Sequence, residues 1–546
     1  MSWRWMIAVL FVVAVAGARE FTPAYAQSVP CTVTISNGDV EGVDRGASCA
    51  YLGIPYAAPP LGPLRWKPPQ PASPWTLVRA NTPPLSCSNL QLPAGTLAGS
   101  EDCLKLNIWA PDPLPAAPAP VIVWLHTGSF VGASANFPSH NGQRLAEETG
   151  VIVVAPNYRL GPFGFLAHNA LAAEDPASPS SGNYGLLDQR AAMAWVRDNI
   201  DRFGGDPRNV TLAGTSAGAD SVGLHLVSPA SAGLFHRAII ESGAPTIRWP
   251  THAEAATQGD AFAAALGCTD PGQVLACMRS KTRNQVLLAL PQVAQQVSEQ
   301  PAASWLPVVD GLELPDQPRV LFESRAFNQV PTIIGTNRDE GAGNFVRRSF
   351  PSGVTTSQYE SWVESEFGVS APLVLAVYPA ATFTAPEDAL AQVVGDAQFV
   401  CEARRLARAV SETGVRTFVY SFEHEVDDVF LDRVIHGIES NIIFGNAYMP
   451  NQFPNHVLDA NDLVLHSIMA GYWTRFAASG DPNVEDDSVL HWPLFKDSHG
   501  RGRGSNKFVV FGLPVDDDKR AREAQCNFWE PLFLRTLLGP VPASEP

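Results

Sequence analysis

The stretch Asn209-Val210-Thr211-Leu212-Ala213-Gly214-Thr215-Ser216-Ala217-Gly218 decides the fold that we predict for this chain. Its first half is short, apolar and β-branched, as in a buried parallel strand, and residues 219–227 suit a helix. Gly-x-Ser-x-Gly between a strand and a helix indicates a nucleophile elbow, a tight turn that exposes a serine. The stretch therefore predicts Ser216 as a nucleophile. A glycine- and serine-rich turn that matches by chance is the alternative at this point.

The neighbouring segments predict a mostly parallel sheet around the elbow. Apolar runs at 121–125 and 151–155 precede it, and apolar residues recur at helical spacing between 187 and 203. Strands that alternate with helices are typical of an α/β fold with helices on both faces of the sheet. The other strand candidates are 33–35, 104–109, 238–240, 332–334, 417–422 and, as an edge strand, 507–511. The proline-rich stretch from 53 to 66 is predicted as ordered coil. We expect helical insertions over the sheet from 252 to about 330 and from 357 to about 410.

Composition and the first residues bear on the compartment. The net charge of −17 argues against nucleic-acid binding and favours a soluble protein. Arg4 precedes an apolar stretch that is too short to span a membrane, and Ala24-Tyr25-Ala26 is a small-x-small cleavage pattern. We therefore expect a signal peptide at 1–26, cut after Ala26, and a single domain at 27–546. Cleavage after Ala18 and an uncleaved anchor are the alternatives.

The eight cysteines fit export, because an even number in an oxidising compartment favours disulfides. Several of them lie near one another along the chain, but eight cysteines allow about 105 pairings, so proximity alone does not decide between them. The sequence contains neither Cys-x-x-Cys nor His-x-x-x-His, so we predict no zinc site, and we expect no cofactor.

A nucleophilic serine needs a base and an acid that orients the base. In α/β folds that carry the nucleophile on such an elbow, the chain order is serine, acid, histidine. His436 is the preferred base because it follows the acid candidates and precedes Gly437; His466 and His424 are the alternatives. The acid is Asp339 or Glu340, which follow a predicted strand and which physical reasoning from the sequence does not separate.

The oxyanion that forms during attack needs hydrogen-bond donors. One is the backbone N–H of Ala217, directly after the nucleophile. The others should come from a glycine-containing turn after an earlier strand, and His126-Thr127-Gly128-Ser129-Phe130 has that position. We therefore predict the N–H groups of Gly128 and Ser129 as the remaining donors.

With these residues in place, the chain resembles a type-B carboxylesterase of the carboxylesterase/cholinesterase family of α/β-hydrolases. The resemblance implies Glu340 as the acid and His436 as the base of a Ser-His-Glu triad. It also implies disulfides Cys87–Cys103, Cys268–Cys277 and Cys401–Cys526, which leaves Cys31 and Cys49 as the fourth pair. The matching stretches are Gly53-Ile54-Pro55-Tyr56-Ala57, Glu101-Asp102-Cys103-Leu104, Asn157-Tyr158-Arg159-Leu160-Gly161, Gly182-Asn183-Tyr184-Gly185, Asp201-Arg202-Phe203-Gly204-Gly205-Asp206-Pro207, the elbow and Gly480-Asp481-Pro482-Asn483.

Three departures from the family pattern bear on the substrate. Thr215 replaces the glutamate that usually precedes the nucleophile. The loop between Cys87 and Cys103 lacks the aromatic residue that would stack on a choline cation, so a cholinesterase is not expected. Thr127 and Ser129 replace glycines of the oxyanion turn; their hydroxyls suit a polar or anionic acyl group, or pack locally.

The sequence thus predicts a secreted or periplasmic serine carboxylesterase that acts on a small-molecule ester, polar or bulky, through an acyl-enzyme. A non-catalytic adhesion module of the same family and a lipase are the alternatives, and retention of Ser216, Glu340 and His436 favours the enzyme. We expect no nucleic-acid partner and no membrane association after cleavage. The sequence indicates no oligomeric state.

Overall fold

The computed structural model describes residues 31–91, 95–176, 179–243, 245–290, 305–343, 346, 350, 352–426, 433–447, 457–484, 489–496, 507–518 and 522–537. The predicted signal peptide lies outside these residues. Within them, no helix is long and apolar enough to cross a membrane.

An 11-stranded sheet organises the described residues. The strands of the described residues are β1 Thr32–Ile35, β2 Gly38–Glu41, β3 Val43–Asp44, β4 Ser48–Pro55, β5 Leu77–Arg79, β6 Asn89–Gln91, β7 Thr96–Ala98, β8 Lys105–Pro111, β9 Ala119–Leu125, β10 Ile152–Pro156, β11 Gly205–Thr215, β12 Arg237–Glu241, β13 Thr332–Asn337, β14 Thr417–Phe422, β15 Phe508–Phe511 and β16 Asp516–Asp518. The order in the large sheet is β16-β15-β14-β13-β12-β11-β9-β10-β8-β4-β3. A β1-β2-β5 sheet and a β6-β7 hairpin lie apart from it.

The centre of this sheet is parallel, as the sequence predicted. From β10 through β9, β11, β12, β13 and β14 to β15, every neighbouring pair runs parallel, while β8, β4, β3 and β16 pair antiparallel. The expectation of an edge strand at 507–511 was wrong, because β16 adds on the outer side of β15. The prediction of coil from 53 was also wrong at its start, since Gly53, Ile54 and Pro55 end β4 beside a register shift.

Helices cover both faces of the sheet. They are α1 Gln143–Thr149, α2 Gly161–Phe165, α3 Asn169–Ala172, α4 Tyr184–Asn199, α5 Ala217–Val227, α6 His252–Ala265, α7 Val274–Ser280, α8 Arg283–Leu288, α9 Pro318–Glu323, α10 Thr356–Phe367, α11 Ala371–Val377, α12 Pro386–Gly395, α13 Cys401–Ser411, α14 Glu439–Phe444, α15 Ala460–Ser479 and α16 Glu523–Leu537. Short 3₁₀ turns lie at Gly62–Leu64, Pro138–His140, Ile200–Phe203, Pro229–Ser231, Gly368–Ser370 and Ala380–Thr382, and a π-helical turn at Asp396–Val400 joins α12 to α13.

The central strands are apolar on both faces, and their sequences are therefore continuous apolar runs. In β9, Val123 and Leu125 pack into one hydrophobic cluster, whereas Ile122 and Trp124 pack into the cluster on the other face. In β11, Leu212 faces the first cluster and Ala213 the second. A sheet buried in this way presents its functional groups at the carboxyl ends of its strands.

Four disulfides link the described cysteines, and within these residues no cysteine is free. They join Cys31 to Cys49, Cys87 to Cys103, Cys268 to Cys277 and Cys401 to Cys526, the same pairs that the resemblance implied. The last bridge ties α13 to α16 across 125 residues of sequence.

Candidate active site

Ser216 lies in a strained turn between β11 and α5. Its backbone has φ 57° and ψ −126°, a conformation that side chains rarely adopt and that costs about 1–3 kcal/mol. Its N–H donates to the carbonyl of Glu241 at 2.9 Å, which ties the turn to the neighbouring strand. The helix that begins at Ala217 directs its N-terminal N–H groups toward the space beside Ser216.

The two elbow glycines are needed for close backbone approach. A Cβ added at Gly218 would lie 2.0 Å from the carbonyl oxygen of Leu125, and one added at Gly214 would lie 2.6 Å from the carbonyl carbon of Gly218. The elbow therefore packs directly on the end of β9, where the turn at 126–130 begins.

His436 and Glu340 are in direct contact. The Nδ1–H of His436 donates to Oε2 of Glu340 at 2.5 Å, and Oε1 of Glu340 accepts from the N–H of Asn337 at 2.7 Å. Glu340 is buried. A buried carboxylate on Nδ1 fixes the tautomer that leaves Nε2 able to accept a proton.

The structure separates the two acid candidates. Oδ2 of Asp339 accepts from the backbone N–H of Val434 at 2.9 Å and from Arg338 at 3.0 Å. Asp339 thus fixes the backbone of the loop that carries His436, while Glu340 contacts the ring itself.

The alternative histidines contact other carboxylates. His424 lies 2.8 Å from Oδ1 of Asp462, and the ring nitrogens of His466 lie 2.7 Å from the carbonyl of Ile442 and 2.9 Å from Oε2 of Glu148. None of these three partners belongs to the elbow or to the end of β13.

The loop of His436 packs beside the elbow. A Cβ added at Gly437 would lie 3.9 Å from Oγ1 of Thr215, and the ring of Phe399 lies 4.8 Å from the imidazole. Burial disfavours the charged imidazole, but the negative charges of Glu340, Glu439 and Asp220 outweigh burial and raise the pKa of His436. The site therefore favours a proton on this ring.

The turn after β9 presents unused backbone donors. Gly128, Ser129 and Phe130 all have positive φ, at 114°, 52° and 61°. Within the described residues, the N–H groups of Gly128, Ser129 and Ala217 donate to no protein acceptor. The turn lies beside the elbow, because Gly218 packs against the carbonyls of Leu125 and His126, and backbone donors without an acceptor suit an anion.

Tyr158 and His126 hold the start of this turn. The Tyr158 hydroxyl donates to the carbonyl of His126 at 2.8 Å, and the two rings stack with centroids 4.2 Å apart. Burial lowers the pKa of His126 to about 4, so its ring is neutral at ordinary pH.

The comparison with known families agrees with this fold and geometry: the model of the carboxylesterase family matches residues 30–529. The chain belongs to the carboxylesterase family. It is therefore a carboxylic ester hydrolase, and the expected family, fold class and enzyme class are confirmed.

This carboxylesterase also contains two buried carboxylates near the site that the sequence analysis did not single out, Glu241 and Glu439. Glu241 ends the apolar run of β12 and is the register partner of Thr215 on β11. Glu439 lies three residues after His436. A charged residue that ends a central strand beside the elbow strand is the sequence signal that could have found Glu241.

The carboxylates of the esterase do not form a metal centre in the part of the chain that the structure describes. There, no group of three or more histidine, cysteine, aspartate or glutamate side chains could hold a metal ion.

Proposed function

We propose that this carboxylesterase is a secreted serine hydrolase that cleaves esters through an acyl-enzyme, with Ser216, His436 and Glu340 as its triad. Oγ of Ser216 attacks the ester carbonyl while Nε2 of His436 takes its proton. His436 then protonates the leaving alcohol, and water hydrolyses the acyl-enzyme with His436 again acting as base.

The contact between His436 and Glu340 carries this proposal. A buried carboxylate bonded to Nδ1 would stabilise the imidazolium that forms during attack, and the loop of His436 packs on the residue next to the nucleophile. The backbone N–H groups of Gly128, Ser129 and Ala217 would bind the oxyanion, since each donates to no acceptor within the described residues.

Substitution of the nucleophile tests the proposal. Ser216→Ala should lower kcat on p-nitrophenyl acetate and butyrate by roughly 10⁴-fold or more, because the residual rate depends on binding and the oxyanion site alone. Ser324→Ala, at an exposed serine that follows α9, is the matched control and should keep wild-type turnover. Equal rates for Ser216→Ala and wild type would exclude the triad and favour the adhesion alternative.

For the substrate, we propose an ester with a polar acyl group near the carbonyl. The half-buried side chains of Thr127 and Ser129 have no hydrogen-bond partner within the described residues, and such hydroxyls suit a polar ligand better than an apolar one. Wild type should prefer p-nitrophenyl 3-hydroxybutyrate over the butyrate in kcat/KM, and Ser129→Ala should reduce that preference. An unchanged ratio in the variant would show that the hydroxyl packs locally.

We further propose that the chain is exported and cut after Ala26. Four disulfides support this, because such bonds persist in oxidising compartments. N-terminal sequencing of the mature protein should begin at Gln27; a mature chain that retains residues 1–26 would contradict the proposal.

A further inference from the structure

Glu241 and Glu439 form a carboxylate pair beside the proposed triad. Both side chains are fully buried, and within the described residues neither lies in a salt bridge with Lys or Arg. Each buried negative charge is costly without a partner, so two of them at one place would be more costly still.

The hydrogen bonds of the two carboxylates differ. Glu439 accepts on both oxygens, at 2.8 Å from the hydroxyl of Ser242 and at 2.5 Å from Nδ2 of Asn337. Glu241 accepts only at Oε1, from the indole N–H of Trp473 at 2.7 Å. Its other oxygen is buried without a partner in the described part of the chain. Donors to both oxygens favour a charged carboxylate, whereas a buried oxygen with no donor favours the neutral acid.

We propose that this pair holds one proton, on Glu241, so that Glu439 is the carboxylate that joins Glu340 in stabilising protonated His436. Glu439 acts as a positioning residue, because its carboxylate bonds to Ser242 and Asn337 and acts on the reaction through His436. This inference rests on the proposed role of His436 as the base.

The connections of Glu439 explain how it acts on His436. Asn337, which donates to Glu439, also donates from Nδ2 to the carbonyl of Ile435 at 2.9 Å. The backbone N–H of Asn337 donates to Glu340. Its Ser242 donor lies directly after β12. Glu439 therefore joins the ends of β12 and β13 to the loop of the base, within three residues of the imidazole.

Titratable groups act on this region from several elements. Glu340 after β13 and His436 act on Glu439, and the charges of both members of the pair act on Tyr420 of β14. Asp220 on α5 acts on His436, and Nε2 of His140 lies 3.2 Å from Oγ of Ser440, the residue after Glu439. Burial, followed by the charge of Glu439, raises the pKa of Glu241 well above its ordinary value. Burial and the charge of Glu340 raise the pKa of Glu439 to about 7, opposed by its two hydrogen-bond donors. Glu241 thus keeps its proton at a pH where Glu439 has lost its own.

The pair also accounts for the departure at Thr215. The residue before the nucleophile carries no charge here, and its register partner across the strands is Glu241. The carboxyl group beside the elbow thus comes from β12 instead of β11, and it is neutral in the form that we propose.

The position of the acidic limb of kcat/KM against pH tests the proposal. Glu439→Gln should move this limb to lower pH by about one pH unit, because the imidazolium loses a nearby negative charge. Glu241→Gln should leave the limb at the wild-type position, since an amide replaces a group that is already neutral. Glu323→Gln, an exposed carboxylate paired with Arg319, is the matched control and should leave the limb unchanged.

A smaller change keeps the test usable if Glu439→Gln does not fold. Ser242→Ala removes one donor to Glu439, which raises the pKa of that carboxyl and should move the limb in the same direction by a smaller amount. The proposal would be overturned if Glu439→Gln left the acidic limb at its wild-type position. Where Glu439→Gln does not fold, an unmoved limb in Ser242→Ala would overturn it. A limb that Glu241→Gln moves as far as Glu439→Gln does would overturn it as well.

Infrared spectroscopy gives a readout that does not depend on turnover. At about pH 9, well above the pKa of Glu439, the wild-type protein should show the C=O stretch of a protonated carboxyl that Glu241→Gln removes and Glu439→Gln retains. Absence of such a band from the difference spectrum of wild type and Glu241→Gln would overturn the proposal. If Ser216→Ala is as active as wild type, the triad fails instead, whatever the spectrum shows.

Discussion

At the scale of single residues, the imidazole of His436 combines partial burial with the charges of three carboxylates, Glu340, Glu439 and Asp220. Burial alone would lower its pKa, but Glu340 is bonded to Nδ1, and Glu439 and Asp220 add negative charge. The pKa of His436 is therefore raised above its ordinary value of 6.5. An esterase that uses the neutral ring as its base should lose activity as the pH falls through this raised pKa.

We predict that kcat/KM on p-nitrophenyl butyrate falls on the acid side with a midpoint above 6.5. The direction follows because protonation removes the acceptor at Nε2, and a raised pKa places that loss at higher pH than for a free histidine. A pH series from about 5 to 9 measures it, with the Ser216→Ala rate subtracted as background. A midpoint below 6.5, or a rate independent of pH, would contradict the prediction.

Residue identities near the site were only partly predictable from the sequence. Ser216 has a motif of its own, but Asp339 and Glu340 are adjacent acids on one loop. Their different contacts, with the backbone of Val434 and with the ring of His436, depend on how that loop turns. Glu439 was missed because a carboxylate three residues after a histidine, at the start of a short helix, carries no motif.

At the scale of elements, the contact between the elbow and β9 couples the proposed nucleophile to the proposed oxyanion turn. Gly218 lies in the first turn of α5 against the carbonyl of Leu125, the last residue of β9. The carbonyl of His126, 3.0 Å from a Cβ built at Gly218, is the next contact. Any side chain at 218 must therefore push the turn that carries Gly128 and Ser129 away from Ser216.

We predict that Gly218→Ala lowers kcat by about a hundredfold, since a displacement of about 1 Å in a positioned group has effects of that size. Overpacking should also lower the free energy of unfolding by about 1–3 kcal/mol. Steady-state kinetics and thermal melting measure both effects. Gly272→Ala is the matched control, because an added Cβ there would meet only Asp270 at 3.5 Å. Wild-type kcat in Gly218→Ala would refute the coupling.

Strands and helices were predictable where burial imposes a pattern and less so elsewhere. The central strands are apolar on both faces, so their runs are visible in the sequence. Asp516–Asp518 carries no such pattern; it forms β16 through backbone pairing with β15, which displaced the predicted edge. Gly53 to Pro55 read as coil because of the prolines that follow, yet β4 pairs with β8 up to Pro55.

At the scale of the whole molecule, buried histidines oppose folding in acid, and burial has its largest effect on the pKa of His126, His140 and His225. Burial lowers the pKa of His126 to about 4, and that of His140 and His225 to about 3. The unfolded chain takes up these protons near pH 6.5, so below that pH it binds more protons than the folded protein. Each histidine then removes up to about 1.4 kcal/mol of stability for every pH unit, until the pH reaches its folded pKa. Glu439 acts in the opposite sense, since its raised pKa makes the folded state lose stability as the pH rises toward 7.

His225 allows this contribution to be measured. It lies in the last turn of α5, at the opposite end of that helix from Ser216, and its ring nitrogens lie 2.9 Å from Oγ of Ser231 and 3.0 Å from Oε1 of Gln189. We predict that His225→Gln lowers Tm at neutral pH, because two buried hydrogen bonds are disturbed, but that its Tm falls less steeply than that of wild type between about pH 6.5 and 4. The slope shrinks because the variant has no imidazole to protonate on unfolding. His491→Gln, at an exposed histidine, is the matched control and should retain the wild-type slope. Parallel curves of Tm against pH for His225→Gln and wild type would mean that protonation of His225 does not contribute to acid unfolding.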